Sequence, residues 1–316
     1  MKDRTKGNLA LLLTAVLWGT GFISQKIGLD YLPPLSFNSI RELMAVLVLG
    51  PLALRALRRS RYLSADQDQQ ALSDGGFRPA ATRAQIQRRR LRLLAAGVIC
   101  GFCLFTGSAT QQIGLMTVSA GKSGFISAVY IVLVPVFSII LGDRVSRRAV
   151  FCVVMAMFGF AVMSLSGGLE RATPGDWLTL VSAAGFAAQI VAVNYFLDKD
   201  NAIMISALQM FFAGAFGLAL ALITEDPTLH AVWLAMPVLL YQTIVPTALG
   251  YTFQIVGQKY TDPSTAALIM STEAVFAAIF GALILGEMMS VREIAGSAII
   301  FAATIIGQRD SSSNSQ

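Results

Sequence analysis

Charge is what this sequence has least of. Asp, Glu, Lys and Arg make up 13% of its 316 residues, against about a quarter in an average soluble domain. Histidine occurs once, as His230, in a short predicted loop with no triad around it, so hydrolytic catalysis finds little support. The cysteines are three, Cys100, Cys103 and Cys152, which suggests neither a disulfide framework nor a zinc site. Cys100 and Cys103 have the spacing of a redox motif but lie inside an apolar run, where small hydrophobic filler is the expected role. A nucleotide motif is missing as well. Gly121-Lys122-Ser123 looks like the end of a phosphate loop, yet Met116 stands where that pattern needs glycine and no strand precedes it. No cofactor is expected, and any transport would run on a gradient rather than on ATP.

Apolar residues are what the sequence has most of. They make up 55% of the chain, and mean hydropathy is +0.65. Runs of roughly 20 apolar residues, enough to cross about 30 Å of hydrocarbon, recur throughout. The predicted spans are Gly7–Ile27, Leu35–Leu57, Leu91–Leu115, Val118–Gly142, Ala149–Gly167, Trp177–Leu197, Ala202–Ile223, Trp233–Gly257, Pro263–Gly286 and Val291–Gly307. The first resembles a signal peptide at its start, but the apolar run continues to Ile23 without a small-residue cleavage site, so a retained helix is expected.

The basic residues give the orientation. With the N-terminus in the cytoplasm, all but Lys26, Arg41, Lys122, Arg171 and Arg292 of the 24 Lys and Arg residues fall on or near the cytoplasmic side. The net charge of +6 is thus a topology signal and does not call for nucleic acid. Both termini are expected in the cytoplasm, with the chain in the inner membrane. The one long loop, 58–90, is polar and rich in Gln, Ala and Arg, and reads as a mobile cytoplasmic linker.

Two stretches resemble each other at a shift of 144 residues, Thr117–Ser146 and Thr261–Ser290. Both open with Thr, carry Ser at the same depth (Ser127 and Ser271) and end in Leu-Gly-acid, at Asp143 and Glu287. The expected fold class is therefore an all-α polytopic membrane protein, ten transmembrane helices as two inverted five-helix repeats. The first repeat is 1–167 with the cytoplasmic loop 58–90, and the second is 168–316. Five is odd, so the two units enter from opposite sides, as in many secondary transporters with a midplane site.

The ordered marks resemble the EamA-like branch of the drug/metabolite transporter superfamily. They are Trp18-Gly19 with Phe22 and Lys26, Asn38 with Arg41, the Thr117-to-Pro135 stretch with Gly124-Phe125-Ile126, and the two Gly-acid ends. The chain departs from the usual family pattern at Glu273-Ala274-Val275 and Gly142-Asp143, where Glu-Pro-Val and Gly-Glu are usual. The resemblance implies export, or less often uptake, of small metabolites such as amino acids, or of drugs.

The polar residues inside the spans are the candidate site. Glu273 lies near the midplane, about 11 residues or roughly 16 Å into its helix, where keeping a charge from water is costly. It is either a partner for a substrate ammonium or a proton carrier, or else a structural carboxyl tying two helices. Lys122 either receives a substrate carboxylate, pairs with an acid or snorkels to the interface. Arg41 and Glu42 are adjacent, so on a helix they point about 100° apart and are not expected to pair; the resemblance implies a peripheral second helix, so Arg41 reads as a structural tie, with substrate contact the alternative. In the eighth span Thr243, Thr247, Gly250 or Tyr251, Gln254 and Gln258 form a polar stripe beside Pro246. Trp18, Ser108, Gln111, Gln112, Tyr130 and Gln189 can complete a wet cavity. Helices 1, 3, 4, 6, 8 and 9 are the expected walls. The substrate-binding candidates are Glu273, Lys122, Trp18, Tyr130, Gln189, Thr247, Tyr251 and Gln254.

The expected function is secondary transport, with export of a small metabolite such as an amino acid the leading reading. The alternatives are a multidrug exporter, a non-transporting scaffold or an intramembrane enzyme. Expected partners are the small-molecule substrate and membrane lipids, with a homodimer left open and no nucleic acid.

Overall fold

The structure, a computed structural model, describes residues 2–73, 83–138, 142, 147–164, 172–197, 202–261 and 263–308. Among the described residues every regular element is helical: α1 Lys2–Gly28, α2 Pro34–Ser73, α3 Arg83–Gly114, α4 Ala120–Ser127, α5 Tyr130–Ser138, α6 Arg147–Ser164 and α7 Pro174–Phe196. Then follow α8 Ala202–Thr224, α9 Leu229–Gln242, a π-helical turn Thr243–Gly250, α10 Tyr251–Gln258, α11 Pro263–Ser271, α12 Glu273–Phe280, a second π turn Gly281–Leu285, and α13 Val291–Gln308.

The pattern of burial inverts that of a soluble protein. Leu47, Ile223 and Leu283 are 76%, 82% and 77% exposed, while Gln25, Gln112, Gln189, Gln209, Gln242 and Gln254 are buried. An apolar exterior, with these amides gathered inside an otherwise apolar core, suits hydrocarbon as solvent, where helices satisfy their own backbone groups. Among the described residues eight helical segments are long and apolar enough to cross a membrane: Arg4–Gly28, Pro34–Arg55, Ala84–Gly114, Ala120–Ser138, Pro174–Phe196, Ala202–Thr224, Leu229–Gln258 and Pro263–Leu285. The chain is a polytopic membrane protein. The fifth and tenth expected spans exist as the helices α6 and α13 but are not among these eight; the apolar part of α6 is the shorter Val150–Met163.

Two expectations need correction. The 58–90 segment is largely helical rather than a loose linker, because α2 runs on to Ser73 and α3 starts at Arg83. Its Arg, Leu, Ala and Gln residues are good helix formers, and Gly and Pro first appear at Gly75, Gly76 and Pro79. Residues 74–82 lie outside the described residues. The fourth, eighth and ninth spans are also interrupted rather than continuous. Pro246 cannot donate to its ladder and sits in a π turn. The breaks at Ala128–Val129 and Thr272 lie in the two resembling stretches at matching positions. Gly142 and Gly286 match in the same way, with φ of 97° and 69°, a left-handed conformation that favours glycine.

Helix ends are closed by side chains. Thr173 and Asp176 form a reciprocal capping box at the start of α7. Glu225 accepts from the Leu35 and Ser36 backbone N–H groups at 2.9 and 2.7 Å, closing the start of α2. Helix α3 packs along α7 and α8, α2 along α8, α6 along α13, and α1 against α10 and α12. Small residues let α4 and α12 touch: a Cβ on Gly124 would lie 3.1 Å from the Ala274 Cα. That is the close approach expected of Ala274 and its small neighbours.

Candidate functional site

The interrupted helices meet at a buried cavity of about 40 Å³ near the middle of the bundle. Its walls come from α1 (Trp18, Gly21, Phe22, Gln25), α2 (Arg41), α3 (Gln111), α5 (Tyr130) and α7 (Phe186, Gln189, Ile190). Gln242 of α9, Pro246 of the π turn, Tyr251 and Gln254 of α10 and Glu273 of α12 complete it. A volume of this size holds on the order of two or three waters, whereas ligand sites commonly measure about 300–1,000 Å³. The cavity as it stands is too small for a ligand of that size.

Trp18, Tyr130, Gln189, Tyr251, Gln254 and Glu273 are thus brought together. Trp18 donates its indole N–H to the Pro246 carbonyl at 3.1 Å. A proline and a π turn free carbonyls of this kind, and the Gly250 carbonyl likewise accepts from the Thr14 hydroxyl at 3.2 Å. The Trp18 and Tyr251 rings lie 4.9 Å apart at 56°. A chain of amides runs outward from the cavity: Gln254 Nε2 donates to Gln189 Oε1 at 3.0 Å, and Gln189 Nε2 to Gln209 Oε1 at 2.9 Å. Glu273 is the first residue of α12, 4% exposed, with no ion pair among the described residues. The Tyr130 hydroxyl is its polar neighbour.

Lys122 and Thr247 stand elsewhere. Lys122 Nζ is 2.8 Å from Asp176 Oδ1 and does not line the cavity. Of the three readings weighed for it, pairing with an acid is the observed one. Thr247 reaches the site at one remove, accepting from Arg41 Nη1 at 2.9 Å.

Arg41 and Glu42 depart furthest from expectation. Arg41 is 3% exposed and lines the cavity. Its Nη2 approaches Glu42 Oε1 at 3.8 Å, because both long side chains bend toward Asn38 one turn earlier. Asn38 Oδ1 accepts from Arg41 Nε at 2.9 Å and from Nη2. Glu42 Oε1 accepts from Asn38 Nδ2 at 3.3 Å and from the Ser108 hydroxyl at 2.9 Å. Helical direction separates adjacent Cβ atoms but not the tips of two long side chains sharing a partner.

The sequence reading also passed over Gln25, Gln242, Phe186 and Ile190. Gln25 had a signal, since 18, 21, 22 and 25 share a face of α1. Gln242 precedes Pro246 by one turn, but its place on the wall depends on the π turn, which shifts the helical register.

At the end of the bundle carrying the 29–33 and 115–119 turns, one tie spans three elements. Lys26 Nζ donates to the Leu115 and Val118 carbonyls at 2.7 and 2.8 Å and lies 3.9 Å from Glu287 Oε1. Glu287 Oε2 accepts from the Ala120 N–H at 2.7 Å, at the start of α4. Elsewhere, among the described residues no three His, Cys, Asp or Glu side chains converge as metal ligands would.

Comparison with known proteins agrees with this architecture. Residues 5–165 and 173–306 each match the EamA-like transporter family. An uncharacterized transporter of Archaeoglobus fulgidus is 28% identical over 304 residues, covering 96% of this chain and 86% of the relative. A probable terminal-alkyne amino-acid exporter of Streptantibioticus cattleyicolor is 24% identical over 320 residues, covering 96% and 94%. A protein of known crystal structure superposes with a TM-score of 0.60 at 16% identity over 98% of each chain, a likeness of fold. The family and these relatives are named as transporters rather than enzymes. The chain belongs to the EamA-like transporter family.

Proposed function

We propose that the protein exports small metabolites such as amino acids by alternating access around the Glu273 cavity, driven by a gradient. The observation that carries this reading is a buried carboxyl, with no ion pair among the described residues, on the wall of a cavity lined largely by amides and aromatic rings. A carboxyl so placed is costly unless it meets a cation, either a substrate ammonium or a proton. The small volume supports a cycle in which the walls part toward one side at a time.

In this reading the chain has ten transmembrane helices in two inverted five-helix units, 1–167 and 168–316, with both termini in the cytoplasm and the protein in the inner membrane. The matched helix breaks, the matched left-handed glycines and the double family match all support two units. The amino-acid class rests on the chemistry of the cavity, and the name of the S. cattleyicolor relative agrees with it.

The test is mass spectrometry of the medium around cells expressing wild type, Glu273→Gln or empty vector at matched membrane levels. Metabolites enriched outside with wild type alone name the substrate and the direction. Equal enrichment by Glu273→Gln would remove the carboxyl from the transport step.

A further inference from the structure

Arg41 has no place in the transport reading so far, yet it is a buried cation in a membrane span that reaches the same cavity as Glu273. A guanidinium there needs strong partners, and the pair it makes with a carboxylate is frequently a two-pronged grip. Arg41 lacks that grip. Its neighbouring acid, Glu42, is held 3.8 Å away and is committed through Oε1 to Asn38 and Ser108. The guanidinium instead donates to neutral oxygens, Asn38 Oδ1 and Thr247 Oγ1. Neither Asn38 nor Thr247 lines the cavity. The wall residue beside Arg41 is Gln242, whose carboxamide oxygen accepts from Nη1 at 3.2 Å in the orientation that satisfies both of its ends. A neutral amide on a flexible side chain is therefore the partner of the guanidinium on the cavity wall.

Across the cavity stands Glu273. Arg41 is a cation and Glu273 an ionisable acid, and both line one cavity without forming an ion pair. Tyr251 lies within electrostatic reach of both. Opposite charges in a low-dielectric space attract strongly, so walls that hold them apart leave two complementary poles.

We propose that these are the two poles of an amino-acid site, in which Glu273 takes the substrate's ammonium and Arg41, released by Gln242, takes its carboxylate. This rests on the transport reading above and narrows it to zwitterions whose two charges sit on one carbon. An amine fills one pole and leaves Arg41 on its neutral partners. A carboxylic acid without an amino group fills the other and leaves Glu273 uncompensated. A site built for both groups rejects analogues lacking either, by at least tenfold.

The experiment uses purified full-length protein in liposomes, with radiolabelled leucine, phenylalanine or lysine and the amines left when each loses its carboxylate. Three proteins are compared: wild type, Gln242→Glu, and the charge-neutral double variant Arg41→Gln with Glu42→Gln. Wild type should carry at least one of these amino acids at least tenfold better than its matching amine. Gln242→Glu adds a carboxylate to Arg41 without removing a charge from its network, and should lower the amino-acid to amine transport ratio at least tenfold. The double variant should bring the amino-acid to amine ratio close to one. An unchanged ratio in both variants would make Arg41 structural and overturn the proposal. Transport of amines but of none of the three amino acids by wild type would also overturn it, while leaving the export reading standing. Failure of wild type to move any compound, here and in the medium of expressing cells, would sink both.

Discussion

The stretches Thr117–Ser146 and Thr261–Ser290 share a backbone plan and divide its chemistry. Each breaks its helix at the same place, after Ser127 in one and Ser271 in the other, and each reaches a left-handed glycine near its end. Yet Glu273 of the second stretch corresponds by position to Val129 of the first, which is fully buried in an apolar cluster. The first stretch gives the cavity Tyr130 instead. A repeated backbone thus fixes where a cavity forms, and a few unrepeated side chains give it one acidic wall. The second stretch also serves the first directly, through the bond from the Ala120 N–H to Glu287.

The largest expected effect comes from exchanging the two positions. Glu273→Val combined with Val129→Glu keeps the composition but moves the carboxyl into the apolar cluster. Transport of the substrate identified with wild type should fall by at least 100-fold, and little folded protein should survive, since an unpaired charge would be buried among apolar side chains. Liposome transport and size-exclusion chromatography check this. Full activity in the exchanged protein would make the two stretches chemically equivalent.

A smaller effect is expected where the stretches touch. Glu287→Gln removes the charge facing Lys26 and weakens the tie across the Ala120 end of α4. Phe22 lines the cavity and is 2% exposed. With the native cysteines replaced by alanine, Phe22→Cys should react several-fold faster with a membrane-impermeant maleimide in the Glu287→Gln background. Equal rates would show that the tie does not hold that end closed.

Lys122 offers a control on the first stretch. Lys122→Gln leaves the buried Asp176 with its capping-box bonds but without its cation. Stability should drop by about 1–3 kcal/mol, read as a lower melting temperature in detergent, with substrate preference unchanged. A changed preference would bring Lys122 back to the substrate path.

The smallest effect tests the backbone plan alone. An added Cβ meets nothing within 4 Å at either Gly142 or Gly286. Alanine at each should therefore cost about 1–2 kcal/mol, through conformation only. Equal losses of melting temperature would strengthen the parallel, and a loss at one position alone would break it.

Much of the arrangement was legible in the sequence, for identifiable reasons. Trp18, Tyr130, Gln189, Tyr251, Gln254 and Glu273 could be named because polar or amphipathic groups in apolar spans have few inexpensive places to go. Lys122 fitted equally well on a substrate path or beside an acid, and its partner Asp176 lies 54 residues downstream. Arg41 was read as a tie ahead of a substrate contact because the resemblance implies a peripheral second helix; Asn38, Thr247 and Gln242 hold its guanidinium, and it lines the cavity. The 58–90 segment looked loose by polarity, although helix propensity extends both flanking helices into it.

The sequence by itself determined the solvent, the helical class and the shift of 144 residues linking the two stretches, because hydropathy and spacing are properties of neighbouring residues. Tertiary structure alone decided that Pro246 sits in a π turn beside Trp18, that Gln242 partners Arg41 on the cavity wall, and that Glu273 shares that cavity with Arg41 without pairing with it. Those facts depend on distances between helices far apart in the chain, and such distances are set by packing rather than by local pattern.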